Sequence, residues 1–122
     1  MGEEVRILGR FVPSELTTEI IQAEIRPLLP PCCQRERISV RIPQGITPHP
    51  DNLEWHQDGM PAYHMVVWAN EDHTEVRTST GELFQAAPYD VVWFDNTKAS
   101  HRQPTGTDES RRWFVSVRCS GA

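Results

Sequence analysis

His56 and Asp58 stand two positions apart in the stretch EWHQDG, residues 54 to 59, and His101 follows 43 positions after Asp58. The letters around the first pair read as strand and loop rather than helix. In extended backbone, side chains at i and i+2 project from one face, so an imidazole and a carboxylate at this spacing can reach one ion. With His101 added, two imidazoles and one carboxylate occupy three corners of an octahedron and leave the opposite face open. Non-haem Fe(II) uses that donor set when it must also hold a cosubstrate and O2. On its own, His-x-Asp is just as readily a hydrogen-bonded turn; the distal histidine, placed straight after the strongest apolar strand and a short polar link, favours a metal.

The remaining chemistry-bearing residues invite plainer readings. His64 leads an apolar run and reads as a strand-face residue, although its nearness to His56 leaves a contact with cosubstrate or substrate open. His49 and His73 lie in polar stretches and are expected to be solvated. Of the four tryptophans, Trp68, Trp93 and Trp113 read as core, and Trp55 stands out because it adjoins a candidate ligand. Asn96 and Lys98, on the polar link before His101, are expected to be solvated, and Glu71, Asp72 and Glu75 to form an exposed acidic turn. Cys32, Cys33 and Cys119 lack metal-finger spacing and read as buried or idle thiols ahead of a redox or ligand role.

Positioning such a site takes a rigid frame. VRILG near the start reads as a strand. In the stretch that follows, Ser14 can cap a helix spanning about 14 to 29, in which Leu16, Ile20, Ile21, Ile25 and Leu28 fall near helical spacing before Pro30 and Pro31 end it. Everything after it reads as short strands between turns: 38–42, 64–69, 74–79, 82–86, 90–94 and 112–118. Strands at this spacing, in a chain with ten prolines, point to a mainly antiparallel sandwich or barrel. The polar stretches 43–54 and 95–110 are expected to be rim loops, the usual place for chemistry on a rigid scaffold.

Composition narrows the function classes. At 122 residues, 38% hydrophobic, the chain suits a single domain, 1–122, with one core. No apolar run approaches the roughly 20 residues that cross a bilayer, and the first residues lack the layout of a signal peptide, so a soluble cytoplasmic protein is the expectation. A formal net charge of −5 with scattered Lys and Arg argues against a nucleic-acid partner. Oligomeric state is not legible.

Taken together, HxDG at a loop-strand border, the stretch PYDVVWFDNTKASHR leading into His101, and arginines ten and eleven positions beyond that histidine resemble the Fe(II)- and 2-oxoglutarate-dependent dioxygenases. Pro88, Asp90, Val91, Val92, Trp93 and Phe94 match the family's apolar strand before its distal histidine, and the resemblance runs from about residue 38 to 118. It implies a double-stranded β-helix, a jelly-roll or cupin-like barrel over about 38–119, braced by the N-terminal helix. It makes His56, Asp58 and His101 the Fe(II) ligands and gives an arginine at the start of the last strand the distal carboxylate of 2-oxoglutarate, since a planar guanidinium suits a carboxylate. Arg112 is preferred if the residues sharing its strand parity, Phe114, Ser116 and Arg118, line the pocket; Arg111 takes the role if Trp113, Val115 and Val117 do; Arg118 is a third choice. The usual Arg-x-Ser/Thr pairing is absent at Arg111 and Arg112. The implied reaction consumes O2, converts 2-oxoglutarate to succinate and CO2, and hydroxylates a C–H bond. Asp58 argues against halogenation, which needs a small residue there. The substrate class stays open between a small molecule and a peptide or protein side chain. Alternatives are a cupin-like metal- or sugar-binding module without turnover, in which no buried cation is needed at that strand start, and a non-catalytic interaction domain.

Overall fold

The structure, a computed structural model, describes residues 4–43, 55, 63–102 and 112–120. Its elements in chain order are β1 (Val5–Arg10), α1 (Thr18–Ile25), 3₁₀ turns at Arg26–Leu28 and Pro31–Cys33, β2 (Ile38–Arg41), β3 (Tyr63–Ala69), β4 (Glu75–Arg77), β5 (Leu83–Phe84), β6 (Asp90–Asp95), β7 (Ser100–Arg102) and β8 (Phe114–Ser120).

The helix is shorter than its apolar spacing suggests. Thr17, not Ser14, caps it, its hydroxyl accepting the Ile20 amide at 3.3 Å. Ser14 instead donates its amide and hydroxyl to the Glu24 carboxylate at 2.7 and 2.8 Å, strapping the incoming chain across the helix. At the other end, Pro27 has no N–H to give the Ala23 carbonyl, so the α-helix stops at Ile25 and the chain tightens into a 3₁₀ turn. Ile21 and Ile25 are buried, whereas Leu16 and Leu28 stay exposed.

The strands form two antiparallel sheets, one of five strands in the order β1-β6-β3-β8-β2 and one of three in the order β5-β4-β7. Side-chain alternation divides the large sheet into two apolar faces. On one, Val66, Trp68, Val91, Val115 and Val117 pack with Phe11, Ile21, Ile25 and Leu29, so this face lies under the helix. On the other, Met65, Val67, Val92 and Phe94 meet Val76 and Ala99, with Phe84 and Phe114 packed alongside, so this face lies against the small sheet. A strand buried on both faces must read as an uninterrupted apolar run, which is why MVVW and VVWF do not alternate. Trp68, fully buried, places its one polar atom by donating Nε1–H to the Phe11 carbonyl at 2.9 Å.

The cysteines depart from the idle-thiol reading. Cys33 and Cys119 are both buried and joined by a disulfide across 86 positions, tying the second 3₁₀ turn to β8. Cys32 is a free, part-exposed thiol whose Sγ lies 3.8 Å from that of Cys33. No described helix is long and apolar enough to cross a membrane.

Candidate functional site

The segment after β6 positions the distal histidine. The Asp95 carboxylate accepts the Thr97 amide at 2.9 Å and the Thr97 hydroxyl at 2.6 Å, while the Asp95 carbonyl accepts the Lys98 and Ala99 amides. This tight turn reverses the chain from β6 in the large sheet to β7 in the small one. Burial raises the Asp95 pKa, but the two Thr97 hydrogen bonds, with the charges of His64 and Lys98, outweigh it and hold the carboxyl below its ordinary range. Strand β7 was not legible in the sequence: its three residues, Ser100, His101 and Arg102, are all polar or charged. Asn96, expected to be solvated, is buried, and Lys98 is exposed as expected.

His101 sits mid-strand opposite Val76 of β4, buried, with its ring centroid 5.2 Å from that of Phe94. Val76 and Phe94 belong to the layer between the sheets, so His101 faces that layer. Its neighbour Arg102 points the other way and makes an ion pair with Glu75 at 2.9 Å. Glu75 is therefore a cross-strand partner rather than part of an exposed acidic turn.

Arg112 lies just before β8 and is only 2% exposed. Its Nε donates to the Asp72 carbonyl at 2.9 Å, an Nη to the Thr74 hydroxyl at 3.2 Å, and its guanidinium carbon stands 4.7 Å from the centroid of the Phe114 ring. Asp72 reaches this bond with φ of 41°, the left-handed region that Asp tolerates better than most residues. The same loop is fixed again where the Trp113 amide donates to the Asn70 side-chain oxygen at 2.7 Å. Thr74, held by Arg112, and Val76, opposite His101, are two residues apart, or about 7 Å along extended chain. Arg112 is thus held against the loop that leads into β4 and over the inner-face Phe114, and His101 is set against the middle residue of β4. Sequence parity supplied the signal for Arg112, because Phe114 and Ser116 do lie on the inner face; the loop partners Asp72 and Thr74 carried no signal, since a backbone carbonyl and one hydroxyl have none.

His56, Asp58 and Arg111 lie outside the described residues, as does His49. Trp55 is described: the guanidinium carbons of Arg77 and Arg102 stand 4.7 and 4.4 Å from its ring centroid. These arginines flank Val76 and His101, so Trp55 rests on the outer face of the small sheet. Arg118 is an exposed member of β8 on the inner face, opposite Met65.

Two histidines are accounted for structurally. His64 is on the helix side of β3, with its ring centroid 4.6 Å from that of Trp93, and so faces away from His101. His73, expected in solvent, is buried where the β3–β4 loop folds onto β6, its Nε2–H donating to the Asp90 carbonyl at 2.8 Å. Burial pushes its pKa below the ordinary value; the Asp90 and Thr74 backbone contacts offset this in part, and the charge of Arg112 adds to it.

The three cysteine sulfurs lie within 4.8 Å of one another under the helix and not between the sheets, but the Cys33–Cys119 disulfide takes two of them, so this cluster offers a metal only the Cys32 thiol. No family model, curated protein or solved structure matches this chain.

Proposed function

We propose that this chain is a non-haem Fe(II)- and 2-oxoglutarate-dependent dioxygenase, a hydroxylase built on a double-stranded β-helix. The observation that carries the reading is the buried Arg112 ahead of β8, on the same inner layer as His101. Beyond the Asp72 carbonyl and Thr74 hydroxyl that hold it, a guanidinium at this position suits a cosubstrate carboxylate, which a metal- or sugar-binding module does not need.

Strand order supports the same reading. A jelly roll has eight strands in two facing sheets. Here β6-β3-β8-β2 make four neighbours of the large sheet, with β1 added at the edge, and β5-β4-β7 face them. A further strand beside β7 would complete the pattern, and Trp55, stacked on Arg102 of β7, marks where the reading puts it. His56 and Asp58 would have to reach the face that carries His101 for this function to hold.

The fit of the metal rests on the donor set: His56, Asp58 and His101 would hold Fe(II), and His101 is already buried beside Phe94. When bound, Fe(II) supplies O2 activation coupled to decarboxylation of 2-oxoglutarate to succinate and CO2, with oxidation of a substrate C–H bond. The protein's own residues orient and dry the site. Arg112 binds the distal carboxylate of 2-oxoglutarate, the Thr74 hydroxyl and Phe114 ring fix the plane of its guanidinium, and Val76, Phe94 and Phe114 exclude water.

The test is an anaerobic titration with Fe(II) and then 2-oxoglutarate, following the visible metal-to-ligand charge-transfer band that the resemblance predicts, in wild type, His101→Ala and Arg112→Lys. The expected result is a band in wild type, none in His101→Ala, and 2-oxoglutarate affinity at least about tenfold weaker in Arg112→Lys, since Lys lacks the planar fork. Iron binding without a band would leave a metal-binding barrel. Equal cosubstrate affinity in wild type and Arg112→Lys would make Arg112 a staple of the β3–β4 loop.

A further inference from the structure

At its β2–β8 end the inner face of the large sheet carries polar residues instead of apolar ones. Along β8 the inward residues run Phe114, Ser116, Arg118, and along β2 they run Ser39 and Arg41; Ser39 stands directly opposite Ser116, and Arg41 opposite Phe114. Between them lies a half-open cavity of about 410 Å³ lined by Glu36, Arg37, Ser39, Arg41, Ser116 and Arg118. Its volume falls within the roughly 300–1,000 Å³ of small-molecule sites.

The lining is unusual for this chain. The protein carries a formal net charge of −5, yet three guanidiniums and one carboxylate meet here, giving a local excess of positive charge. Val40, Val115 and Val117, the alternate residues of the same strands, pack under the helix, so the polar set is the one that alternation turns toward the site. Two opposed hydroxyls and planar guanidiniums form a donor-rich wall, matched to oxygen anions and poorly matched to an apolar or cationic ligand.

We propose that this hollow is the subsite for the primary substrate and that the substrate is a small organic anion, bound through a carboxylate or phosphate group by Arg41 and Arg118 with the Ser39 and Ser116 hydroxyls. The assignment of the ligand as substrate rests on the oxygenase reading; the anion site itself does not. Arg112, six positions before Arg118 and so about 20 Å away along extended chain, holds the cosubstrate, and Arg118 takes the substrate's charge. This division gives the two arginines of one strand parity separate roles. It also moves Arg118 from cosubstrate to substrate recognition.

The test uses the whole chain, free of metal and 2-oxoglutarate, with inorganic phosphate and acetate as probes and backbone amide NMR shifts as the readout. Both anions are expected to shift the amides of Ser39, Arg41, Ser116 and Arg118 saturably. The phosphate affinity is expected to fall about tenfold for Arg118→Ala and more for Arg41→Ala with Arg118→Ala, in line with loss of charge-assisted hydrogen bonds. Arg112→Lys is expected to leave it unchanged. Both substituted arginines are exposed, and dispersed spectra of the variants establish that they fold. Shifts that do not saturate, or that persist in the double variant, would overturn the site. If phosphate acts only through Arg112, the hollow is likewise excluded. Phosphate binding at Arg41 and Arg118 in a protein that gives no charge-transfer band would overturn the substrate role while keeping the anion site; a band without phosphate binding would overturn the anion site alone.

Discussion

Reducing the Cys33–Cys119 disulfide frees two chain positions separated by 86 residues. In the chain-entropy description, closing a loop of that length removes about 15 cal/mol/K from the unfolded ensemble, or about 4.6 kcal/mol at 25 °C. Both sulfurs are fully buried, and two thiols packed in their place behave as small apolar groups, so the folded state gains little on reduction. A domain of this size is stable by roughly 5–15 kcal/mol, which makes the bond a third or more of the total. For a urea slope of about 2 kcal/mol per molar, the unfolding midpoint is expected to fall by roughly 2 M. The assay is equilibrium unfolding followed by the fluorescence of the buried Trp68, with and without a phosphine reductant, and in the Cys33→Ser, Cys119→Ser double variant. Cys32→Ser is the control and should leave the midpoint unchanged. Thiol titration in urea fixes the starting state: one reactive thiol before reduction and all three cysteines after it. A fully reduced protein whose midpoint moves by less than about 0.3 M would refute the loop-entropy reasoning. The same titration on protein taken directly from cells bears on compartment, because disulfides persist poorly in a reducing cytosol.

His73 should make stability depend on pH. Its native pKa lies below the ordinary 6.5, so as pH falls through 6.5 the unfolded chain takes up a proton that the folded one refuses. Stability is therefore full above that pH and declines below it until the depressed native value is reached; His73→Gln should flatten this part of the urea-midpoint profile, and an unchanged slope would exclude His73 as its source. Asp95 acts on the turn before His101. Asp95→Ala removes both Thr97 hydrogen bonds and is expected to cost about 1 kcal/mol, with His101 amide and ring signals displaced in NMR spectra. In wild type the Asp95 contribution is present above the ordinary carboxyl range and is lost as pH falls through the depressed value, so the difference between wild type and variant should close in acid.

Much of the frame could be read from residue order alone. The apolar runs that became β3 and β6 are buried on both faces, and continuous hydrophobicity is what such burial demands. Alternation at Phe114, Ser116 and Arg118 against Val115 and Val117 separated the two faces of β8, and the structure turns the polar set to the inner layer. Proline chemistry marked the end of the helix, although Pro27 and not Pro30 set it. These features are local: each depends on side chains within a few positions of one another.

Only tertiary contact decided the rest. Strand β7 has no apolar signal because its pairing comes from β4, a partner far off in sequence. The burial of His73 depends on a carbonyl of another strand, and that of Arg112 on a carbonyl and a hydroxyl of another loop. The disulfide joins a 3₁₀ turn to the last strand, which no cysteine spacing announces. The cationic hollow exists because Ser39 and Arg41 are set opposite Ser116 and Phe114, a register fixed by sheet pairing. Sequence by itself determined which residues prefer to leave water; the three-dimensional chain decided which polar groups they carry with them, because a buried donor must find its acceptor wherever the fold supplies one.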